Sequence, residues 1–158
     1  MTPGDLVAYV AGVHERTRAA VAAIPPELLH SRAGPAKWSL AELVVHIANA
    51  RPWNASGATG ERVPYRGHDA QDESLASLLA LLDDASAECL RKLEGAELFQ
   101  GKAVTARGDR STPSWERVLG GLVEHEAHHR GQLSARHRAL GGDVPPLFGL
   151  FEEDLPRD

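Results

Sequence analysis

Along residues 3–24, Leu6, Val10, Val13, Thr17, Val21 and Ile24 fall at three- and four-residue steps, the period of one helix face. Pro25-Pro26 then withholds the backbone donors that a helix needs, which predicts a first helix over 3–24. A second is predicted from Leu40 to about Pro52. Ser39 and Glu42 have the spacing of a reciprocal capping box, and Trp38 before the cap is placed to pack on Leu43 as a hydrophobic staple. Residues 54–71 show no sustained period and read as a long surface crossover. From a cap at Asp72, the positions Leu75, Leu78, Leu82, Ala85, Cys89 and Leu93 trace the clearest stripe of the chain, a third helix. Residues 96–111 read either as loop or as loosely paired segments around Gly101. Thr112 as a cap, with Pro113 at the first helical position, opens a long fourth helix that lasts until Gly141-Gly142. The expected fold is all-α, a four-helix bundle with a long crossover between helices 2 and 3.

Composition narrows the class. The 158 residues, 42% of them apolar, suit one domain spanning 1–158. Seventeen basic residues against 22 acidic give a formal charge of −5, with no field to attract a phosphate backbone, so no nucleic-acid partner is expected. No apolar run approaches the roughly 18 residues of a membrane span, and Met1-Thr2-Pro3-Gly4-Asp5 lacks the basic start of a secretion signal, so a soluble, cytoplasmic protein without a membrane partner is expected. A single cysteine, Cys89, makes neither an internal disulfide nor a thiolate zinc cluster, and nothing basic stands near it to activate it, so it reads as a core filler. Any metal would need nitrogen and oxygen ligands, for which eight histidines are available.

On the fourth helix the stripe Trp115, Val118, Leu122, His125, His129, Leu133, Leu140 contains two histidines that apolar logic does not explain. A pair at i and i+4 sets two imidazoles on adjacent turns, where one cation can bind both. His46, beside the stripe Leu43, Ile47, Ala50, points inward from the second helix toward them. Three neutral imidazoles facing one point match a three-His site that leaves a fourth position open, suited to zinc, nickel or iron(II). The bland alternative is that His46 is a hydrogen-bonded core residue, although two neighbouring buried imidazoles without a shared cation leave donors to satisfy. His128 is expected at the rim. His14, His30, His68 and His137 read as surface or satisfied, with His68 alone on a loop able to reach a pocket, and Trp38, Trp53 and Trp115 as packing residues at helix ends. His125-Glu126-Ala127-His128-His129 also fits H-E-x-x-H, the zinc-protease helix in which Glu is the general base. The extended form fails at Gln132 and Ala135, and the remaining third ligands, Glu152 and Glu153, lie beyond the Pro145-Pro146 break, which disfavours a peptidase.

The stretch Trp38-Ser39-Leu40-Ala41-Glu42-Leu43-Val44-Val45-His46 resembles the second-helix motif of the DinB/YfiT-like superfamily of proposed metal-dependent enzymes. Residues His125 to Leu133 resemble its fourth-helix H-x-x-H-H-R-G-Q signature, and Arg138 to Pro146 are similar to the tail that follows. The resemblance implies a four-helix bundle, a homodimer, and zinc or nickel held by His46, His125 and His129. It also implies an S-transferase that uses a low-molecular-weight thiol as co-substrate and acts on a small molecule. On that reading Gln132, one turn beyond His129, Asn49, close to one turn beyond His46, and His128 are candidate contacts behind the ligands or to substrate. Two alternatives stand beside it: a metal-dependent hydrolase with Glu126 as general base, and a non-catalytic module that its metal stabilises and that dimerises or binds a partner.

Overall fold

The computed structural model describes residues 1–71, 73–146 and 152–156. It is an all-helical bundle of four rods: α1 (Pro3–Ala22), α2 (Leu40–Ala58), α3 (Leu75–Leu93), and a fourth made of α4 (Ser114–Val118), a π-helical segment (Leu119–Glu124) and α5 (His125–Ala139). Among the described residues there is no strand; an isolated antiparallel bridge joins Lys102, in the 96–111 segment, to Pro113 just beyond it. The residues predicted to face inward on α1, from Leu6 to Ile24, are all buried. At the start of α2, Ser39 Oγ accepts from the Glu42 N–H at 3.1 Å, while Glu42 Oε2 accepts from the Ser39 N–H at 2.6 Å.

Four sequence expectations shift. Helix α2 continues through Pro52 to Ala58, so the crossover starts only after Thr59. Pro52 forfeits one backbone bond, but every residue from Asn54 to Ala58 is buried, and that packing outweighs the loss. Gly57 permits a close approach here: its carbonyl accepts from the Val104 N–H at 2.8 Å, and a Cβ would stand 3.0 Å from the Val104 oxygen. The expected cap at Asp72 lies outside the described residues, and Ser74 Oγ caps α3 by accepting from the Ser77 N–H. The fourth rod starts at Ser114, because Pro113 has ψ 145 and so precedes the helix, while the Thr112 carbonyl is engaged by the Ala103 N–H. It then changes pitch. The His125 N–H bonds to the Gly120 carbonyl, five residues back, which deprives the Gly121 carbonyl of its usual α-helical donor. Asn54 Nδ2 supplies one at 2.9 Å. A side chain at Gly121 would collide with Asn54, so glycine is required there.

Helix α2 is buried nearly all round, and its neighbours build two apolar clusters. One gathers the end of α1 (Val21, Ile24), the first half of α2 and Leu78, Leu82, Ala85 and Leu133. The other gathers Leu6 and Val10 with Ala55, Ala58, Cys89, Leu93, Val118 and Leu122. Between them runs a polar layer. Arg51, 2% exposed, donates from Nε and Nη2 to the two oxygens of Glu126 at 3.0 and 2.8 Å, from Nη1 to the Leu82 carbonyl at 2.8 Å and from Nη2 to that of His14 at 3.4 Å. One guanidinium thereby contacts the other three rods. Arg130 Nη1 donates in the same layer to the Val13 carbonyl and Thr17 Oγ1. Removing one partner of a buried ion pair strands the other, so Arg51→Met is expected to lower unfolding free energy in urea by about 3–5 kcal/mol. Adding Glu126→Gln to it should recover part of that loss, a non-additivity that a double-mutant cycle measures.

Candidate metal centre

His46 on α2 and His125 and His129 on α5 converge. His46 Nε2 lies 3.2 Å from His125 Nε2 and 3.1 Å from His129 Nε2, and ligand nitrogens of all three stand within 4.8 Å of one another. Two nitrogens bound tetrahedrally at about 2.0–2.1 Å would be about 3.3 Å apart. The donor set therefore fits a divalent cation of the zinc class. The histidines are half-buried. Burial first, then the neighbouring imidazoles, hold His46 down to about 4; burial and the adjacent His129 hold His125 at about 4 as well. Burial likewise lowers His129, against its bond to Gln132. Neutral imidazole is the form a metal requires.

Behind the ligands, hydrogen bonds fix which nitrogen faces the centre. Gln132 Nε2 lies 2.8 Å from His128 Nε2, and Gln132 Oε1 lies 3.1 Å from His129 Nδ1. With the amide nitrogen donating to His128, its oxygen accepts from His129 Nδ1–H, and His129 Nε2 then presents a lone pair to the other two rings. Tyr65 Oη lies 2.7 Å from His46 Nδ1. The indole of Trp38 stands over the cluster, 4.9 Å from the His46 ring and 4.4 Å from that of His68. From the sequence, Trp38 reads only as a packing residue and His68 as a loop residue able to reach a pocket, while Tyr65 sits in the aperiodic crossover and carries no sequence signal. Asn49 does not reach the imidazoles; its Nδ2 donates to the Gly67 carbonyl at 2.9 Å and so anchors the crossover that brings Tyr65 in. His128 is exposed, as a rim position would be.

Glu126 is placed elsewhere. Its carboxylate is buried and clasped by Arg51, with His14 Nε2 at 3.6 Å, so it is not among the groups gathered at the imidazoles. Burial pushes its pKa up, but the charge and hydrogen bonds of Arg51 outweigh burial and hold it below the usual range. Glu126 therefore faces Arg51 and His14 and not the three imidazoles. The inward stripe of the fourth rod is also corrected: it runs Val118, Leu122, Glu126, Arg130, Leu133, His137, with His125 and His129 on the flank that faces α2. Trp53, expected at a helix end, lies inside α2 under the Arg117 guanidinium. Glu153 is exposed. Cys89 is fully buried, and burial pushes its thiol up to about 12, consistent with a core filler.

A cavity of about 610 Å³ adjoins the centre, with His46 and His125 in its wall beside Ala50, Trp53, Tyr65 and Arg117. Its size suits a small molecule. Fold and site together define a helical bundle with a three-imidazole group able to hold a metal ion. The model of the DinB family matches residues 1–157, and the chain belongs to that family. Among solved structures it is similar to a DinB-like protein from Bacillus cereus ATCC 10987, with a TM-score of 0.75 and 19% identity over 89% of this chain and 94% of that one. No curated protein matches the sequence. No helix among the described residues is long and apolar enough to cross a membrane.

The polar layer under the centre makes stability pH-dependent. His14 is buried with Nδ1 2.8 Å from Ser86 Oγ; burial first, then the Arg51 charge, lower it from 6.5 to about 4, against the pull of Glu126. Between those values the unfolded chain binds a proton that the folded chain refuses. The contribution is full above about 6.5 and lost as pH falls toward 4, amounting to about 2–3 kcal/mol by pH 4.5. Urea unfolding of chelator-treated protein at pH 7 and 4.5 should show a drop of at least this size, to which His46 and His125 add, and His14→Gln should make it shallower by about the His14 share.

Proposed function

We propose that this chain is a divalent-metal-dependent enzyme, its cation held by His46, His125 and His129, that delivers the intact thiolate of a low-molecular-weight thiol to a small electrophile. The observation that carries the reading is the convergence of three neutral imidazoles, two of which, His46 and His125, line a cavity of about 610 Å³. When bound, a zinc or nickel ion would act as a Lewis acid that lowers the pKa of the thiol. The chain's own groups do the rest. Gln132 holds His129, and Tyr65 holds His46 while keeping its hydroxyl at the cavity wall, placed to meet a polar group of the substrate. Trp53 and Ala50 supply apolar wall. The transferase reading is favoured over the hydrolase because the base that hydrolysis would need, Glu126, is committed to Arg51.

Elemental analysis should find stoichiometric metal in the purified protein and a loss of tenfold or more in His46→Ala and His129→Ala. With metal loaded, bacillithiol, mycothiol and glutathione are to be assayed against a model electrophile. A rate with at least one thiol that both variants abolish supports the transferase, whereas no rate with any of them, or one independent of metal, sinks it. Glu126→Gln should retain turnover at temperatures where it remains folded.

A further inference from the structure

Arg51 is bound to Glu126 and two carbonyls, and Arg130, although its Nε is without a partner, donates through Nη1 to the Val13 carbonyl and Thr17 Oγ1. Arg117 differs. It is half-buried in the wall of the cavity that also holds His46 and His125, and its Nε is buried without a hydrogen-bond partner. Among the described residues no ion pair engages its guanidinium. Instead, Cζ sits over the Trp53 ring, 4.7 Å from its centroid. Gly57 makes room on the same side, since a Cβ there would come within 3.3 Å of Arg117 Nε. The neighbouring Glu116 lines the cavity too, but it is exposed, and successive helix residues diverge rather than face each other.

We infer that Arg117 is the anion-recognising residue of this cavity and that the molecule bound there carries a carboxylate. The contact with the Trp53 ring holds the guanidinium in place in advance, so less entropy remains to be lost when it takes a planar two-oxygen group. A single planar fork suits a carboxylate better than a phosphate, which usually gathers several donors. Burial lowers the Arg117 pKa from its ordinary value. A bound anion offsets that penalty. This inference deepens the proposed function and rests on it only for the ligand's orientation, with the reacting end at the imidazoles and the carboxylate at Arg117.

The test uses the full chain after chelation, so that no cation competes for the anion, and again as purified. Benzoate, neutral benzamide and phenyl phosphate are titrated by calorimetry, and the indole N–H resonance of Trp53 is followed by NMR. Benzoate is expected to bind at least tenfold more tightly than benzamide and to shift the Trp53 signal. Arg117→Gln should remove that preference, and Arg117→Lys, which keeps the charge but not the fork, should retain part of it. Equal affinity for benzoate and benzamide, a preference that survives Arg117→Gln, tighter binding of phenyl phosphate, or no Trp53 shift would each overturn the assignment. An unchanged melting temperature of Arg117→Gln separates lost recognition from lost folding, and Arg117→Lys repeats the comparison should that variant unfold. Metal stoichiometry is measured separately, so a failed metal reading and a failed anion reading leave different signatures.

Discussion

The buried pair of Arg51 and Glu126 sets the terms for the rest of the molecule. A guanidinium at 2% exposure is costly to desolvate, and the cost is tolerable only because its donors meet both carboxylate oxygens and two main-chain carbonyls. Those acceptors belong to three different rods, so the pair fixes how α1, α3 and α5 are turned about α2. Apolar contacts alone would allow α5 to rotate by a residue at small cost, since any apolar face can bury against another. A carboxylate that must meet Arg51 cannot. With Glu126 pinned inward, His125 and His129 are carried to the flank of α5 that faces His46.

The π-helical segment solves a second problem of registration. The α4 end of the rod packs Val118 and the segment itself packs Leu122 into one apolar cluster, while α5 must present Glu126 to the layer above and two histidines to α2. Widening the helix between Leu119 and Glu124 adjusts the phase between these demands, and the displaced Gly121 carbonyl finds its donor in Asn54. Asn54 lies three residues after Arg51 on α2, so one stretch of that helix settles both the pitch and the rotation of its partner. The cavity lies against this junction, with Asn54, Gly120 and Gly121 in its wall. The same irregularity that aligns the ligands also shapes the space beside them.

Much of this is readable in the chain because local signals were strong. The Ser39/Glu42 box, the Leu75–Leu93 stripe and the His125/His129 spacing depend on neighbours within a turn or two, and the three imidazoles do meet in space. What escaped reading depends on distant partners. Pro52 is a stop signal by local rules, and only burial of Asn54 to Ala58 overrides it. The wide turn has no composition of its own beyond Gly120-Gly121. Arg51 did leave a trace: it stands four residues after Ile47, on the buried side of α2, just as Glu126 stands four after Leu122. A charge of each sign on two apolar stripes is the pattern of a buried pair. Tyr65 left none, because a loop residue acquires its place from what anchors the loop, here Asn49 holding Gly67.

That contrast bears on the H-E-x-x-H letters. On a helix the residue after the first histidine points about 100° away from it, so whether it serves the metal or the core depends on what faces each side. Where a substrate cleft lies on that side, a glutamate can work as a base. Here α2 presents histidine toward one side of α5 and arginine toward the next, and the glutamate is drawn to the arginine. Five letters specify a helix with two ligands on one flank. The function of the glutamate, second letter of the pattern, is decided by residue 51, seventy-five positions earlier in the chain.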